Sequence, residues 1–376
     1  MLGLLLAGCA NLGYYGQAVQ GHLDLLARRQ EIQALIADPS TPAERRERLE
    51  LVLELRGFAS RELGLPDNAS YRSYVELERP AVVWSLVAAP EFSLQPHQWC
   101  YPVIGCASYR GYYRRRAAEQ AGAALAAEGL DVTLEPVPAY STLGWFDDPL
   151  PSTVIDWSEP DLAGLMFHEL AHQRLYFPDD SGFNEAFASL VQQVGVERWL
   201  AARGDPQALA RQRLMRERRS AFVELLLASR GRLQALYARD LAPEPMRALK
   251  ATEFARLRRE YRSLRRAWGG YAGFDAWFAR APLNNARLAS IATYQALIPA
   301  LEALLADQGG DLEAFYQACG ELKQLDPAQR RRALGVGNEG RGPENALTAV
   351  AAVPDSVAAG PVRPGKGAPR RRYPAG

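Results

Sequence analysis

The sequence predicts an α+β fold: a small N-terminal mixed sheet with helices, followed by a mainly helical part. Three observations lead there. Segments that alternate apolar and polar residues, or are rich in valine and aromatics, fall before residue 150. Segments with apolar residues at three- and four-residue spacing dominate after it. Such segregation differs from the strand–helix alternation of a parallel α/β sheet. Finally, the 376 residues are 48% hydrophobic and 23% charged, enough to bury a sizeable core in one large domain or two. A formal net charge of +1 gives no general attraction to nucleic acid, and no nucleic-acid partner is expected.

The elements follow in order. "VQGHLDLLARRQEIQALIAD" and "TPAERRERLELVLELRGFASREL" read as helices within 17–64, the second opened by Thr41-Pro42, and Gly64 and Pro66 break the chain. "AVVWSLVAAPEFSL" (81–94) reads as one or two strands. "RGYYRRRAAEQAGAALAAEG" (110–129) predicts a helix closed by glycine. "LDVTLEPVPAYSTLGWF" (130–146) alternates and predicts two strands broken at Pro136 and Pro138. Helices are then predicted over 159–176, 184–203, 207–239, 246–267, 272–280, 284–306 and 311–322. From 334 the chain is rich in Gly, Pro and Ala with little periodic apolar content, and a disordered tail is expected over 334–376. The segments before it are 1–9, an N-terminal part over 10–150 and a helical part over 151–333.

The chemistry concentrates in "LMFHELAHQRLYFPDDSGFNEAFASLV" (165–191). His168-Glu169-Leu170-Ala171-His172 matches H-E-x-x-H, and two of the chain's four histidines lie in it. On a helix the four-residue spacing stacks both imidazoles on one face, where they can share a metal ion, zinc being the one this pattern takes. Glu169 beside them is the candidate general base. A catalytic zinc needs a third protein ligand. Glu185, near the start of the next helix, is the candidate, and the short turn "PDDSG" lets that helix fold back. Asp179 and Asp180 on the turn are the rivals. Ala188 would allow close helix approach, and Ser189 could hydrogen-bond a histidine ligand from behind.

H-E-x-x-H followed by N-E-x-F-A resembles the gluzincin metallopeptidases. The 12 residues between His172 and Glu185 are fewer than in most of them, and are similar to the predicted-aminopeptidase lipoproteins of Gram-negative bacteria. The resemblance extends through "CYPVIGCASYRGYY", "YSTLGWFDDPLPSTVI" and "PLNNARLASIATY". It implies a zincin-like fold and a zinc-dependent peptidase acting on a peptide or protein substrate. It also implies a downstream oxyanion donor, for which Tyr294 is the first candidate, ahead of Tyr261 and Tyr271. Zincins often bind peptide along an edge strand. "AYSTLGWFDDP" has that character, with Gly144 and Trp145 as the candidate substrate-binding residues. Asn284 and Asn285 line the cleft or cap the following helix. The G-x-M-E-N segment of many zinc aminopeptidases does not occur before residue 168. Arg110, Asp147 and Asp148 are the residues that could meet a substrate terminus instead.

Leu6-Ala7-Gly8-Cys9 resembles the lipobox of bacterial lipoproteins. That implies lipid on Cys9, membrane attachment through it and, with Ala10 next, an outer-membrane protein facing the periplasm. The basic stretch expected before such a core is missing: either the start lies upstream of Met1, or the resemblance is accidental and the run is a frayed apolar N-terminus. Cys100 and Cys106 are joined by a Pro- and Gly-containing loop that could bring their sulfurs together in an oxidising compartment; two buried free thiols are the alternative. Cys319 reads as core.

Overall fold

The computed structural model describes residues 3–101, 105–280, 282–291 and 297–336, and every strand among them lies at or before Pro151. The chain runs α1 (Gly3–Ala27), β1 (Gln30–Glu31), α2 (Ile32–Ala37), α3 (Ala43–Leu63), β2 (Ser73–Val75) and β3 (Val83–Pro90). It continues through β4 (Trp99–Tyr101), β5 (Gly105–Ala107), β6 (Arg110–Tyr112), α4 (Arg115–Ala127), β7 (Leu130–Val137) and β8 (Leu150–Pro151). The helical part follows: α5 (Ser152–Ile155), α6 (Glu159–Arg174), α7 (Ser181–Ala202), α8 (Pro206–Tyr237), α9 (Pro243–Ala267), α10 (Asp275–Ala279), α11 (Asn285–Ala289), α12 (Ile298–Asp307), α13 (Leu312–Glu321) and α14 (Pro327–Ala333). The fold is α+β and mostly helical.

β3 is the centre of an antiparallel sheet in the order β6–β3–β7, and α4 and α11 pack against it. A second, mixed sheet pairs β2 antiparallel with β1 and parallel with β8. β4 and β5 form a hairpin in which Cys100 faces Cys106, and their sulfurs are bonded.

Several predicted elements differ from those observed. Residues 110–129 begin as strand: Arg110–Tyr112 pairs with Trp84–Leu86, and the helix starts at Arg115. The two strands predicted over 130–146 are one, β7, which keeps Pro136 because an edge strand need not use every N–H. The helix predicted over 284–306 is broken into α11 and α12. Residues 337–376 of the expected tail lie outside the described residues.

Two large cores hold the molecule. The first draws on both sides of residue 150: α2 and α3 supply Ile32, Leu49, Val52 and Leu55, and α6, α7, α12 and α13 supply partners such as Phe167, Phe187, Leu301 and Phe315. The second joins α8, α9 and α10 through Phe222, Leu257, Tyr261 and Phe278. No described helix is long and apolar enough to cross a membrane.

Candidate active site

α6 is set up by its own start signals. Ser158 caps it, accepting from the Asp161 N–H, Pro160 sits in the first turn, and Glu159 and Asp161 face the positive helix end. The turn after it is fixed by Asn184, whose side chain accepts from the Phe177 N–H at 2.8 Å and donates to the Phe177 carbonyl at 2.7 Å. Asp180 caps α7 through the Phe183 N–H. Asp179 and Asp180 are engaged by Arg330 at 3.1 and 3.3 Å, so these rival ligands serve the turn. Glycines let α6 and α7 lie close: a Cβ on Gly195 would fall 2.7 Å from the Phe167 ring, and one on Gly164 would fall 3.0 Å from the Gln192 amide.

This packing brings His168, His172 and Glu185 together, all buried. Nε2 of His168 lies 3.2 Å from Nε2 of His172, and the Glu185 oxygens lie 3.5 Å from each. A tetrahedral ion with bonds of about 2.0–2.1 Å to nitrogen and oxygen has ligand–ligand edges of about 3.3–3.4 Å. The donor set therefore has the dimensions of three corners of such a site. Its chemistry agrees. Nδ1 of His168 donates to Oε1 of Gln192 at 3.1 Å, which leaves an Nε2 lone pair aimed at the cluster. Both buried Glu185 oxygens lack a hydrogen-bond partner. Lone pairs gathered this closely, away from water, call for a cation.

Burial alone would raise the Glu185 carboxyl, but His172 and His168 outweigh it and hold it at about 2. Glu169 goes the other way. Burial pushes its carboxyl up to about 7; His168 opposes this, while Glu185 and Asp148 add to it. A carboxylate poised near neutrality beside a cluster that could hold a metal ion is suited to proton transfer.

Glu169 and Gln173 stand one turn apart on α6 and so share a face. Two loops roof that face. Gln173 accepts from Asn68 at 2.7 Å and donates to Ser70 at 3.3 Å, which docks the 66–71 loop. From the other side, a Cβ on Gly144 would sit 3.5 Å from Gln173, which puts the 139–149 loop in contact as well. The Tyr71 N–H donates to the Asp148 carbonyl at 2.7 Å and ties the loops together.

The remaining candidates are distributed as follows. Ser189 is buried on the α7 face that carries Glu185, but it makes no hydrogen bond to either histidine; Gln192, two turns after Glu185, holds His168 instead. The edge strand expected at "AYSTLGWFDDP" does not form. The segment is a loop in which Asp148 accepts from Ser141 and Thr142, and in which Leu143 and Gly144 have left-handed backbones. Gly144 and Trp145 are therefore loop residues, the latter 85% exposed. Tyr294 lies outside the described residues. Tyr261 donates to Asp275 in the second core, and Tyr271 packs there on Trp268 and Phe274. Asn284 caps α11, and Asn285 bonds to the backbone of Pro90 and Glu91. Arg110 stacks on Tyr14. Cys9 is in α1. Tyr71 and Gln192 had no signal in the motif itself, although Gln192 continues the helical spacing 185, 188, 192.

A family comparison settles the class of protein. The family described as "Putative aminopeptidase" matches residues 13–334. The chain belongs to this family. No curated protein and no solved structure matches the chain. Membership of the putative aminopeptidase family supports peptide hydrolysis and a peptide substrate, and its match spans both the buried His168–His172–Glu185 cluster and the loops that roof Glu169.

Proposed function

We propose that this protein is a zinc-dependent peptidase of gluzincin type, with Glu169 as its general base. The observation that carries the reading is the convergence of two Nε2 atoms and an unpartnered buried carboxylate at 3.2–3.5 Å, with a second carboxylate held near neutrality beside them. Two imidazoles and a carboxylate form a donor set suited to catalytic zinc. Held by His168, His172 and Glu185, zinc would supply Lewis acidity that activates water and polarises the scissile carbonyl. Glu169 takes the proton of the attacking water and delivers it to the departing amine. The partly exposed faces of the 66–71 and 139–149 loops border the place where the peptide enters, with Gly144 and Trp145 on its rim. Tyr294 is retained as an oxyanion donor. Cys9 is proposed to carry lipid, which would tether the enzyme to the outer membrane on its periplasmic side.

The test is metal content and cleavage of a peptide library by the purified protein beside Glu169→Gln. Zinc at one per chain in both, with cleavage at least 100-fold lower in the variant, is the expected result. Absence of zinc binding after remetallation would overturn the site. A zinc-loaded wild type that cleaves nothing would point to a non-catalytic binding module.

A further inference from the structure

We infer that the Tyr71 hydroxyl is the hydrogen-bond donor that positions the Glu169 carboxylate during the reaction. The inference rests on the peptidase reading above and adds a residue to it.

Three independent observations converge on Tyr71. Its backbone is left-handed, with φ at 61°, and among the described non-glycine residues only Leu143 in the facing loop shares that conformation. A bulky residue keeps such a backbone only where its surroundings over-determine it. Here buried Arg56 does so, donating to the carbonyls of Ser70, Pro66 and Asn68 at 3.0, 2.6 and 3.1 Å. The second observation is the hydroxyl itself. Tyr71 is 2% exposed and its hydroxyl has no hydrogen-bond partner. An orphaned buried hydroxyl costs stability, so its retention asks for a role.

The third observation is placement. Gln173 grips Ser70, the residue before Tyr71, and Gln173 shares its helix face with Glu169. Burial raises the Tyr71 phenol well above its usual range, with Glu169 the strongest and Asp148 the next charge acting on it, so it remains a donor. Glu169 in turn accepts no hydrogen bond from any described residue. An unspent buried donor thus stands on the loop docked beside Glu169, whose carboxylate takes no hydrogen bond from the described residues. Hydrogen bonds of this kind are often long before substrate is bound and tighten when the site closes. Fixing one carboxylate oxygen would leave the other oriented for the proton it must move.

The experiment is a double-mutant cycle of Tyr71→Phe with Glu169→Gln, read three ways. The first is zinc content and Tm. The second is kcat and KM on a cleaved peptide. The third is calorimetric binding of a phosphinic peptide, whose tetrahedral oxygens present to Glu169 what the reaction presents. Tyr71→Phe should keep its zinc and hold or raise its Tm, because the oxygen removed has no partner. Its kcat should fall about 10- to 100-fold with KM within about twofold. Phosphinic peptide affinity should fall in parallel, and Tyr71→Phe should add no further loss in the Glu169→Gln background. Full kcat in Tyr71→Phe, or a loss that adds independently to that of Glu169→Gln, would overturn the inference and leave the peptidase reading intact. A wild type that neither cleaves peptides nor binds the phosphinic peptide would overturn both.

Discussion

Glu169 and Glu185 are both buried glutamates within one small site, yet their surroundings drive them in opposite directions. Glu185 faces two imidazoles and is held at about 2, so it stays an ionised carboxylate at any working pH. Glu169 has burial working on it with less compensation and sits at about 7. A general base acts only when deprotonated, so kcat/KM should rise with pH up to that value, about tenfold per unit on the acid side. A bound cation favours the charged carboxylate and moves this limb below 7. A pH–rate profile of the wild type measures it, and an acid limb that persists unchanged in the residual activity of Glu169→Gln would argue against Glu169 as the base. The cluster and the glutamate beside it were legible at this scale because H-E-x-x-H and the following N-E are local spacings on single helices. Tyr71 was not legible, since nothing in the 97 residues between them ties its loop to the helix of Glu169; only the grips of Gln173 and Arg56 on Ser70 dock that loop there.

At the scale of elements, the site is a property of how α6 meets α7. Gln192 fixes the His168 tautomer, and Gly164 leaves room for it. Gln192→Ala should therefore lower metal affinity about 10- to 100-fold while the fold persists, measurable by competition with a chelating dye. Gly195→Ala forces a methyl to within 2.7 Å of the Phe167 ring and 2.8 Å of Leu63, both in the first core. It should destabilise by about 1–3 kcal/mol, read as a drop in Tm. The sequence foresaw these two helices from their periodicity and caps. It misread "AYSTLGWFDDP" as strand because alternation is a statement about side chains. The backbone there is satisfied by Asp148 and Thr142 within the loop, and no neighbouring strand is needed.

Across the whole molecule, the second core is joined to the β3 sheet through Asn285. It accepts from Tyr237 at 2.7 Å, donates to the carbonyls of Pro90 and Glu91, and its N–H donates to Asp131. Asn285→Ala removes the partner of the Tyr237 hydroxyl and of the Pro90 and Glu91 carbonyls, all part-buried, and should cost about 2 kcal/mol, with metal content retained because His168, His172 and Glu185 lie away from this joint. Equal Tm in the variant would refute the joint. By itself the sequence determined the α+β class, most helices of the second half and the His168, His172 and Glu185 cluster that could hold a metal ion, because each depends on residue spacing along one element or across one short turn. Only the tertiary structure decided which loops roof the base, that Gln192 rather than Ser189 holds His168, and that one core spans residue 150. Those depend on contacts between segments far apart in the chain, where packing and buried hydrogen bonds choose the partners.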